Sequence, residues 1–178
     1  MAQNLYIQYC RQEAETTALA QQLAHSLSHL FRKDPDTHLN ISLQGNLGAG
    51  KTTFARHLIQ ALGYEGRVKS PTYTLCEPYS IQIKAGHPDS GATVTVHHFD
   101  LYRIRDPLEW QEAGFEEHFD APGFCLVEWP EKAEGTLPAF DLEIHLAAGK
   151  DECERQIEIK AISAHGVTVL ESLQPHSI

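Results

Sequence analysis

The chain contains 178 residues, of which 42% are apolar and 21% are charged, and its formal net charge is −10. This length and composition are typical of one globular domain, and we expect a single domain over residues 1–178. No apolar run approaches the roughly 20 residues that span a bilayer, and the first residues do not resemble a secretory signal. An acidic surface repels phosphate backbones, which disfavours tight unaided binding to nucleic acid.

The four cysteines are widely separated in the sequence and show no C-x-x-C spacing. They are Cys10, Cys76, Cys125 and Cys153. We interpret them as reduced thiols rather than as disulfides or a zinc site. Together with the absence of a signal pattern, this favours a cytoplasmic protein.

The first third of the chain predicts two strand–helix units. Alternating apolar residues indicate strands over 5–9 and 39–43, and apolar residues at helical spacing indicate helices over 16–31 and 51–62. The predicted capping residues are Thr16 or Thr17 for the first helix and Gly63 for the end of the second.

The rest of the chain predicts further strands with one short helix. We expect an extended segment over 72–77, a hairpin tip over 85–91, a strand over 93–99, a helix opening at 106–109 and a buried strand over 124–127. Alternating apolar residues indicate later strands at 142–146, 157–159 and 167–169. We therefore predict a three-layer α/β domain with a mainly parallel central sheet and an antiparallel C-terminal part.

The strongest motif is a complete G-x-x-x-x-G-K-[ST] sequence over residues 45–52, placed between a predicted strand and a predicted helix. Glycines at this spacing let backbone N–H groups surround phosphate oxygens at the start of a helix. The lysine of such a motif reaches the β- and γ-phosphates, and its hydroxyl binds Mg²⁺. The residues predicted to bind ATP here are Asn46, Leu47, Gly48, Ala49, Gly50, Lys51, Thr52 and Thr53.

Two carboxylates stand where a P-loop enzyme needs an acid near its metal. Glu128 follows four apolar residues of a predicted strand, and Asp100 follows a less apolar strand. Because ligands lie at the carboxyl ends of parallel strands, both acids can face the nucleotide, although either can also be a helix cap or a solvated strand end. We predict catalytic roles for both acids and for Lys51.

Three further features have two interpretations. Residues 70–75 form either a switch segment whose hydroxyls sense the γ-phosphate or a simple β-turn. Trp129 either covers the nucleotide or simply packs against its neighbours. His97 and His98 point to opposite faces of a strand, so they cannot share a metal, and we expect core or surface roles for them.

The ordered set of motifs resembles the TsaE (YjeE) family of small bacterial ATPases. The residues that carry the resemblance are GNLGAGKTTFAR at 45–56, VKSPTYTL at 68–75, HFDLYR at 98–103 and LVEWPEKAEGTLP at 126–138. The resemblance implies ATP binding and hydrolysis in the assembly that forms threonylcarbamoyladenosine in tRNAs reading codons that start with A. The implied partners are TsaD and TsaB, with tRNA contacted only through that complex.

The resemblance also implies roles for individual residues. It assigns Lys51 to phosphate, Thr52 and Glu128 to Mg²⁺, Asp100 to hydrolysis at or near the metal, and Thr16 to the nucleotide. Glu154 and Arg155 stand where the family has a Gly-Arg pair near the nucleotide, so only the arginine is carried over. The segment from Ile81 to Ala92 is longer than the family pattern, and we expect it at an edge of the sheet.

Three other functions were weighed against this one. A P-loop kinase would explain the motif and the acid–arginine pair Asp100 and Arg103, but no segment rich in arginine resembles a kinase lid. A GTPase would normally carry N-K-x-D, which occurs nowhere in the chain. A module in which ATP only sets conformation is compatible with every motif.

Overall fold

Seven β-strands and four α-helices form within residues 4–84 and 91–173, the part of the chain that this computed structural model describes. In chain order they are β1 (Leu5–Cys10), α1 (Glu13–Lys33), β2 (His38–Gln44), α2 (Lys51–Ala61), β3 (Cys76–Lys84), β4 (Gly91–Asp100), α3 (Glu109–Glu112), β5 (Gly123–Glu128), β6 (Leu142–Ala148), β7 (Arg155–Ala161) and α4 (Ala164–Leu173). Single turns of 3₁₀ helix occupy Glu116–Phe119 and Pro130–Ala133.

All described strands join one sheet in the order β1-β7-β6-β2-β5-β4-β3. The four central strands, β6, β2, β5 and β4, run parallel to one another. At one edge β7 and β1 run antiparallel, and at the other edge β3 pairs antiparallel with β4. This confirms the predicted α/β fold with a parallel centre and an antiparallel C-terminal part. The parallel arrangement also brings the carboxyl ends of β2, β4 and β5 to the same end of the sheet.

The two faces of the sheet are covered differently. Helices α1, α2 and α4 pack on one face over the main apolar core, into which α1 directs Leu19, Leu23 and Leu27 at helical spacing. The other face carries a smaller core that includes Phe99 and Trp110, closed by α3 and the two 3₁₀ turns. Two helical layers therefore enclose the sheet, and the second layer consists of short pieces.

Helix α1 begins three residues before the predicted Thr16 start. Gln12 is the capping residue, and its backbone N–H donates to the Glu15 carboxylate at 3.1 Å. Glutamate three residues after the cap satisfies an N–H group that would otherwise have no partner. Thr17 lies inside the first turns and donates its hydroxyl to the Glu13 carbonyl, so neither predicted threonine is the cap.

The strand predicted at 167–169 is wrong, because these residues belong to α4. The hydroxyl of Ser163 accepts a hydrogen bond from the Gly166 N–H at 3.1 Å and thereby starts the helix. Val169, Leu170 and Leu173 are buried at helical spacing. Two apolar residues separated by one position fit a short strand and an amphipathic helix equally well.

Two other boundaries differ from the prediction. The segment predicted to be extended over 72–77 turns at 72–75, and the strand begins only at Cys76. The predicted capping of the next helix is present, since the Glu109 carboxylate accepts from the Asp106 N–H at 2.8 Å, but regular helix covers only Glu109–Glu112. The hairpin tip predicted over 85–91 lies outside the described residues except for Gly91, where β4 begins, and β3, which precedes it, forms the sheet edge as expected.

None of the helices within the described ranges is both long and apolar enough to cross a membrane. All four cysteines lie in the described part of the chain as free thiols, with Cys10, Cys76 and Cys125 buried and Cys153 exposed. Burial raises the pKa of Cys76 to about 12, so this thiol stays protonated and unreactive at neutral pH.

Candidate nucleotide-binding site

The glycine-rich loop joins β2 to α2 in a conformation that needs its glycines. Gly48 and Gly50 have φ values of 80° and 98°, a region that side chains disfavour. A Cβ at Gly45 would collide with the Leu146 carbonyl. Gly50 also caps α2, so the first N–H groups of that helix open onto the cleft at the loop.

Lys51, the first residue of α2, is held against the loop itself. Its ammonium donates to the carbonyls of Gly45 at 2.5 Å and Asn46 at 3.0 Å, and it lies 3.8 Å from the ring centre of Trp129. Burial lowers the pKa of Lys51, while the carboxylates of Glu128, Glu131 and Asp100 act in the opposite direction. The Lys51 side chain therefore lies inside the cleft, where burial disfavours its positive charge and the neighbouring carboxylates favour it.

Asp100 and Glu128 end adjacent parallel strands in direct register. Their exposed fractions are 7% and 1%. The Thr52 hydroxyl donates to Glu128, with Oγ1 2.9 Å from Oε1 and 3.2 Å from Oε2. The two predicted acids and the predicted metal-binding hydroxyl thus meet beside the loop.

Asp100 has different neighbours from Glu128. Its Oδ1 accepts from the Tyr102 backbone N–H at 3.0 Å, and its Oδ2 accepts from the Ser70 hydroxyl at 3.3 Å. Burial raises the pKa of Asp100 above its ordinary value, and the charge of Glu128 adds to that shift, while the hydrogen bonds from Tyr102 and Ser70 oppose it. The structure therefore links this carboxylate to the segment containing Ser70.

That segment is a turn that touches the site. The Leu75 N–H donates to the Pro71 carbonyl at 2.9 Å, and Leu75 has a positive φ of 64°. The Ser70 and Thr72 hydroxyls are 2.7 Å apart, and both residues line the cleft. The segment is therefore a turn, as one interpretation predicted, and the switch interpretation stays a prediction.

Trp129 follows Glu128 with a left-handed backbone, at φ 57° and ψ 49°. Its ring lies over the Lys51 ammonium and 4.9 Å, between ring centres, from Tyr102. A cation over the face of an indole is electrostatically favourable. Trp129 therefore packs, as one interpretation expected, but it packs at the cleft rather than away from it.

Arg155 and Thr16 approach the loop from the other side. The Arg155 Nε donates to the Ala49 carbonyl at 2.8 Å. Thr16 is buried, and its hydroxyl has no hydrogen-bond partner among the described residues. Both border a cavity of about 250 Å³ beside Gly50 and Thr53. The structure thus brings these two residues next to the glycine-rich loop, and their contact with the nucleotide stays a prediction.

Sequence reasoning missed one residue of the site. His98 was expected in a core or surface role, but its Nε2 lies 2.6 Å from Oε2 of Glu128. His97 does point to the opposite face, where its ring stacks on His118 with 4.0 Å between centres. The available signal was that His98 precedes Asp100 by two residues, since positions two apart in a strand share a face.

Most of the predicted residues line a cleft of about 540 Å³, within the range of small-molecule sites. Thr16 and Ala49 border the smaller cavity of about 250 Å³ instead, and Asn46 borders a third cavity. Its lining consists of Leu47, Gly48, Gly50, Lys51, Thr52, Thr53, Ser70, Thr72, Asp100, Tyr102, Arg103, Glu128, Trp129 and Arg155. A larger cavity of about 920 Å³ lies between α1, the end of α2 and β3 and contains none of the predicted site residues. Chemistry rather than size therefore identifies the site.

Comparisons of the sequence with a family model and with known proteins agree on one family. The family described as "Threonylcarbamoyl adenosine biosynthesis protein TsaE" matches residues 10–157. A Haemophilus influenzae protein named tRNA threonylcarbamoyladenosine biosynthesis protein TsaE is 37% identical over 143 residues, which cover 80% of this chain and 83% of the relative. A Bacillus subtilis protein of the same name is 33% identical, covering 91% of this chain and 89% of the relative.

A solved structure shows the same architecture. The crystal structure of Bacillus subtilis YdiB is similar with a TM-score of 0.69 and 27% sequence identity, covering 95% of this chain and 93% of that one. Taken with the family match over most of the sequence, these similarities show that the chain belongs to the TsaE family and has its P-loop NTPase-like fold.

Proposed function

We propose that this chain binds ATP with Mg²⁺ and hydrolyses the ATP as a component of threonylcarbamoyladenosine formation in tRNA, in the cytoplasm and together with TsaD and TsaB. The relatives' names support the pathway and do not favour the kinase alternative. The observation that carries the proposal is the meeting of Thr52, Glu128 and Asp100 beside Lys51 and the glycine-rich loop.

The residues present fit a magnesium ion. A threonine hydroxyl and two carboxylates supply the hard oxygen ligands that Mg²⁺ prefers. Within the described ranges no group of three or more His, Cys, Asp or Glu residues is placed to hold a metal ion. Mg²⁺ in nucleotide sites usually takes further ligands from phosphates and water. When bound, the ion would neutralise charge on the phosphate oxygens.

The residues of the site have different proposed roles. The loop amides and Lys51 bind the phosphates, and Arg155 and Thr16 border the nucleotide from the side of α1. Thr52 and Glu128 would hold the metal, and Asp100 ends the adjacent strand in register with Glu128. Ser70 and Thr72 connect this acid to the turn at 70–75, so a partner that moves the turn would alter hydrolysis. We therefore expect slow hydrolysis by the isolated chain and stimulation by its partners.

The first test is Lys51→Ala, with exposed Lys33→Ala at the far end of α1 as a matched control. We expect phosphate release from ATP to fall below detection and nucleotide affinity to weaken, because the β- and γ-phosphates lose their charged partner. The Lys33 variant should behave as the wild type. Undiminished turnover in the Lys51 variant, with contaminating ATPases excluded, would refute the proposal.

The second test addresses substrate and partners. Phosphate release should be measured with ATP and with GTP, alone and after adding TsaD and TsaB. We expect a preference for ATP, a slow basal rate and an increase with both partners. ATP-dependent capture of TsaD and TsaB by the tagged chain should accompany that increase. Equal rates of phosphate release with and without the partners would be consistent with the proposed ATPase activity but would refute the proposed action with TsaD and TsaB.

A further inference from the structure

His98 lies on β4 with a side chain that is 0% exposed. Its Nε2 is 2.6 Å from Oε2 of Glu128. An ionised carboxylate only accepts hydrogen bonds, so Nε2 carries the hydrogen and donates it. The second ring nitrogen, Nδ1, is buried and without a partner among the described residues. The ring thus has one polar contact in the part of the chain that the structure describes, and that contact is with Glu128.

Most buried polar atoms in proteins are hydrogen-bonded, so a histidine kept for structure alone would ordinarily have partners at both ring nitrogens. His97, its neighbour, shows what a packing role looks like here. Its ring stacks on His118 on the opposite face of the sheet, remote from Glu128. The two adjacent histidines therefore have separate tasks.

The Glu128 carboxylate is hydrogen-bonded on two sides. The Thr52 hydroxyl reaches Oε1 at 2.9 Å, and the His98 ring reaches Oε2 at 2.6 Å. The final torsion of a glutamate side chain is soft, so an unheld carboxylate adopts many orientations. With one oxygen tied to His98, rotation would break a short charge-assisted hydrogen bond. The second oxygen is thereby kept toward Thr52.

We propose that His98 is a positioning residue that holds the Glu128 carboxylate in the orientation required for metal binding at Thr52 and for hydrolysis. The proposal rests on the ATPase function proposed above. Hydrogen bonds to metal-binding carboxylates typically affect metal affinity or activity ~10- to 100-fold. Nucleotide affinity without Mg²⁺ should not change, because the glycine-rich loop and Lys51 are untouched.

The test compares His98→Leu, which removes the donor, with His98→Gln, whose amide N–H can approach the same oxygen. His97→Gln is the matched control. We expect His98→Leu to lower kcat ~10- to 100-fold and to raise the Mg²⁺ concentration for half-maximal rate, with KM for ATP nearly unchanged. His98→Gln should restore part of kcat and bring the Mg²⁺ requirement part of the way back to the wild-type value. His97→Gln should match the wild type in both quantities.

Two results would overturn the proposal. One is a wild-type rate and Mg²⁺ requirement in folded His98→Leu. The other is an equal loss in the leucine and glutamine variants that follows their Tm values, which would indicate structure alone. Binding of a fluorescent ATP analogue in EDTA accompanies each assay, and affinity lost in His98→Leu without Mg²⁺ would also count against it.

Should His98→Leu fail to fold, NMR of the wild-type histidine rings decides the question. We expect the Nε2–H form for His98, with a resonance that moves in Glu128→Gln and stays in place in His97→Gln. The Nδ1–H form would refute the proposal.

Failure of the underlying function looks different from failure of this inference. If Lys51→Ala and Glu128→Gln hydrolyse ATP like the wild type, the proposed ATPase itself is wrong. If those variants are inactive while His98→Leu is fully active, only the role of His98 is wrong.

Discussion

Asp100 and Glu128 occupy matching positions at the ends of adjacent parallel strands, but the structure connects them to different parts of the protein. Glu128 is hydrogen-bonded to two side chains, Thr52 of α2 and His98 of β4. Asp100 accepts one hydrogen bond from the backbone at Tyr102 and a longer one, at 3.3 Å, from Ser70. One acid is tied to the glycine-rich loop's helix, and the other to the turn at 70–75.

This difference suggests a division of labour between two similar carboxylates. Side-chain donors on rigid elements fix Glu128, which suits an acid that must present one oxygen to a metal. A turn on the surface can shift more readily than a helix or strand, which suits an acid whose contribution depends on a partner or on the γ-phosphate. The predictions below test whether the two acids really differ.

Among the changes that compare the two acids, the largest effect is expected for Glu128→Gln. Turnover should slow at least ~10²-fold because the site loses a positioned charge. The Mg²⁺ concentration for half-maximal rate should rise, since the amide binds the metal less well, while ATP binding persists through Lys51 and the loop. A Mg²⁺ titration of the ATPase rate measures both effects, and turnover unchanged from the wild type would remove Glu128 from the mechanism.

Asp100→Asn should also slow turnover at least ~10²-fold, but with a smaller rise in the Mg²⁺ requirement. The reason is that Asp100 contacts the turn at 70–75 rather than Thr52. The same titration provides the comparison. If Asp100→Asn alone shifts the Mg²⁺ requirement, the roles assigned to the two acids are reversed.

Ser70→Ala should slow turnover by about 2- to 10-fold, the equivalent of one ordinary hydrogen bond. The substitution removes the hydroxyl that donates a hydrogen bond to Asp100, and it leaves the hydrogen bonds to Glu128 intact. The variant should retain the wild-type Mg²⁺ requirement. Combining Ser70→Ala with Asp100→Asn should slow turnover little more than Asp100→Asn alone, because both changes act on the same hydrogen bond. Fully multiplicative losses in that double variant would show that Ser70 acts independently of Asp100.

The smallest effect concerns stability, and its sign follows from the raised pKa of Asp100. A carboxyl whose pKa is raised by folding contributes stability below its unfolded pKa and loses that contribution as the pH rises through the folded pKa. At neutral pH the ionised side chain therefore opposes folding, and Asp100→Asn should raise Tm. The gain should shrink as the pH falls below the ordinary range for aspartate. A gain that is independent of pH would contradict this account.

Much of the site could be predicted because its requirements are local. The strand, the glycine-rich loop and α2 follow one another in the chain, and their glycines and helix start leave a recognisable pattern. Two acids at strand ends could be predicted on the same grounds. The start of α1 and the nature of residues 167–169 could not, since Gln12 as a cap and a two-residue alternation are weak local signals.

Sequence by itself determined the chemistry of the loop and the type of most strands and helices up to β7, because turn conformation and hydrophobic periodicity are set by near neighbours in the chain. Only the tertiary structure decided which groups meet. Thr52 and Glu128 are separated by 76 positions and His98 and Glu128 by 30, and both contacts depend on how β4, β5 and α2 pack. The carboxylate that the motifs identified contacts His98, a residue that lies in a quoted motif but received no site role from the sequence, since the contact arises from strand pairing.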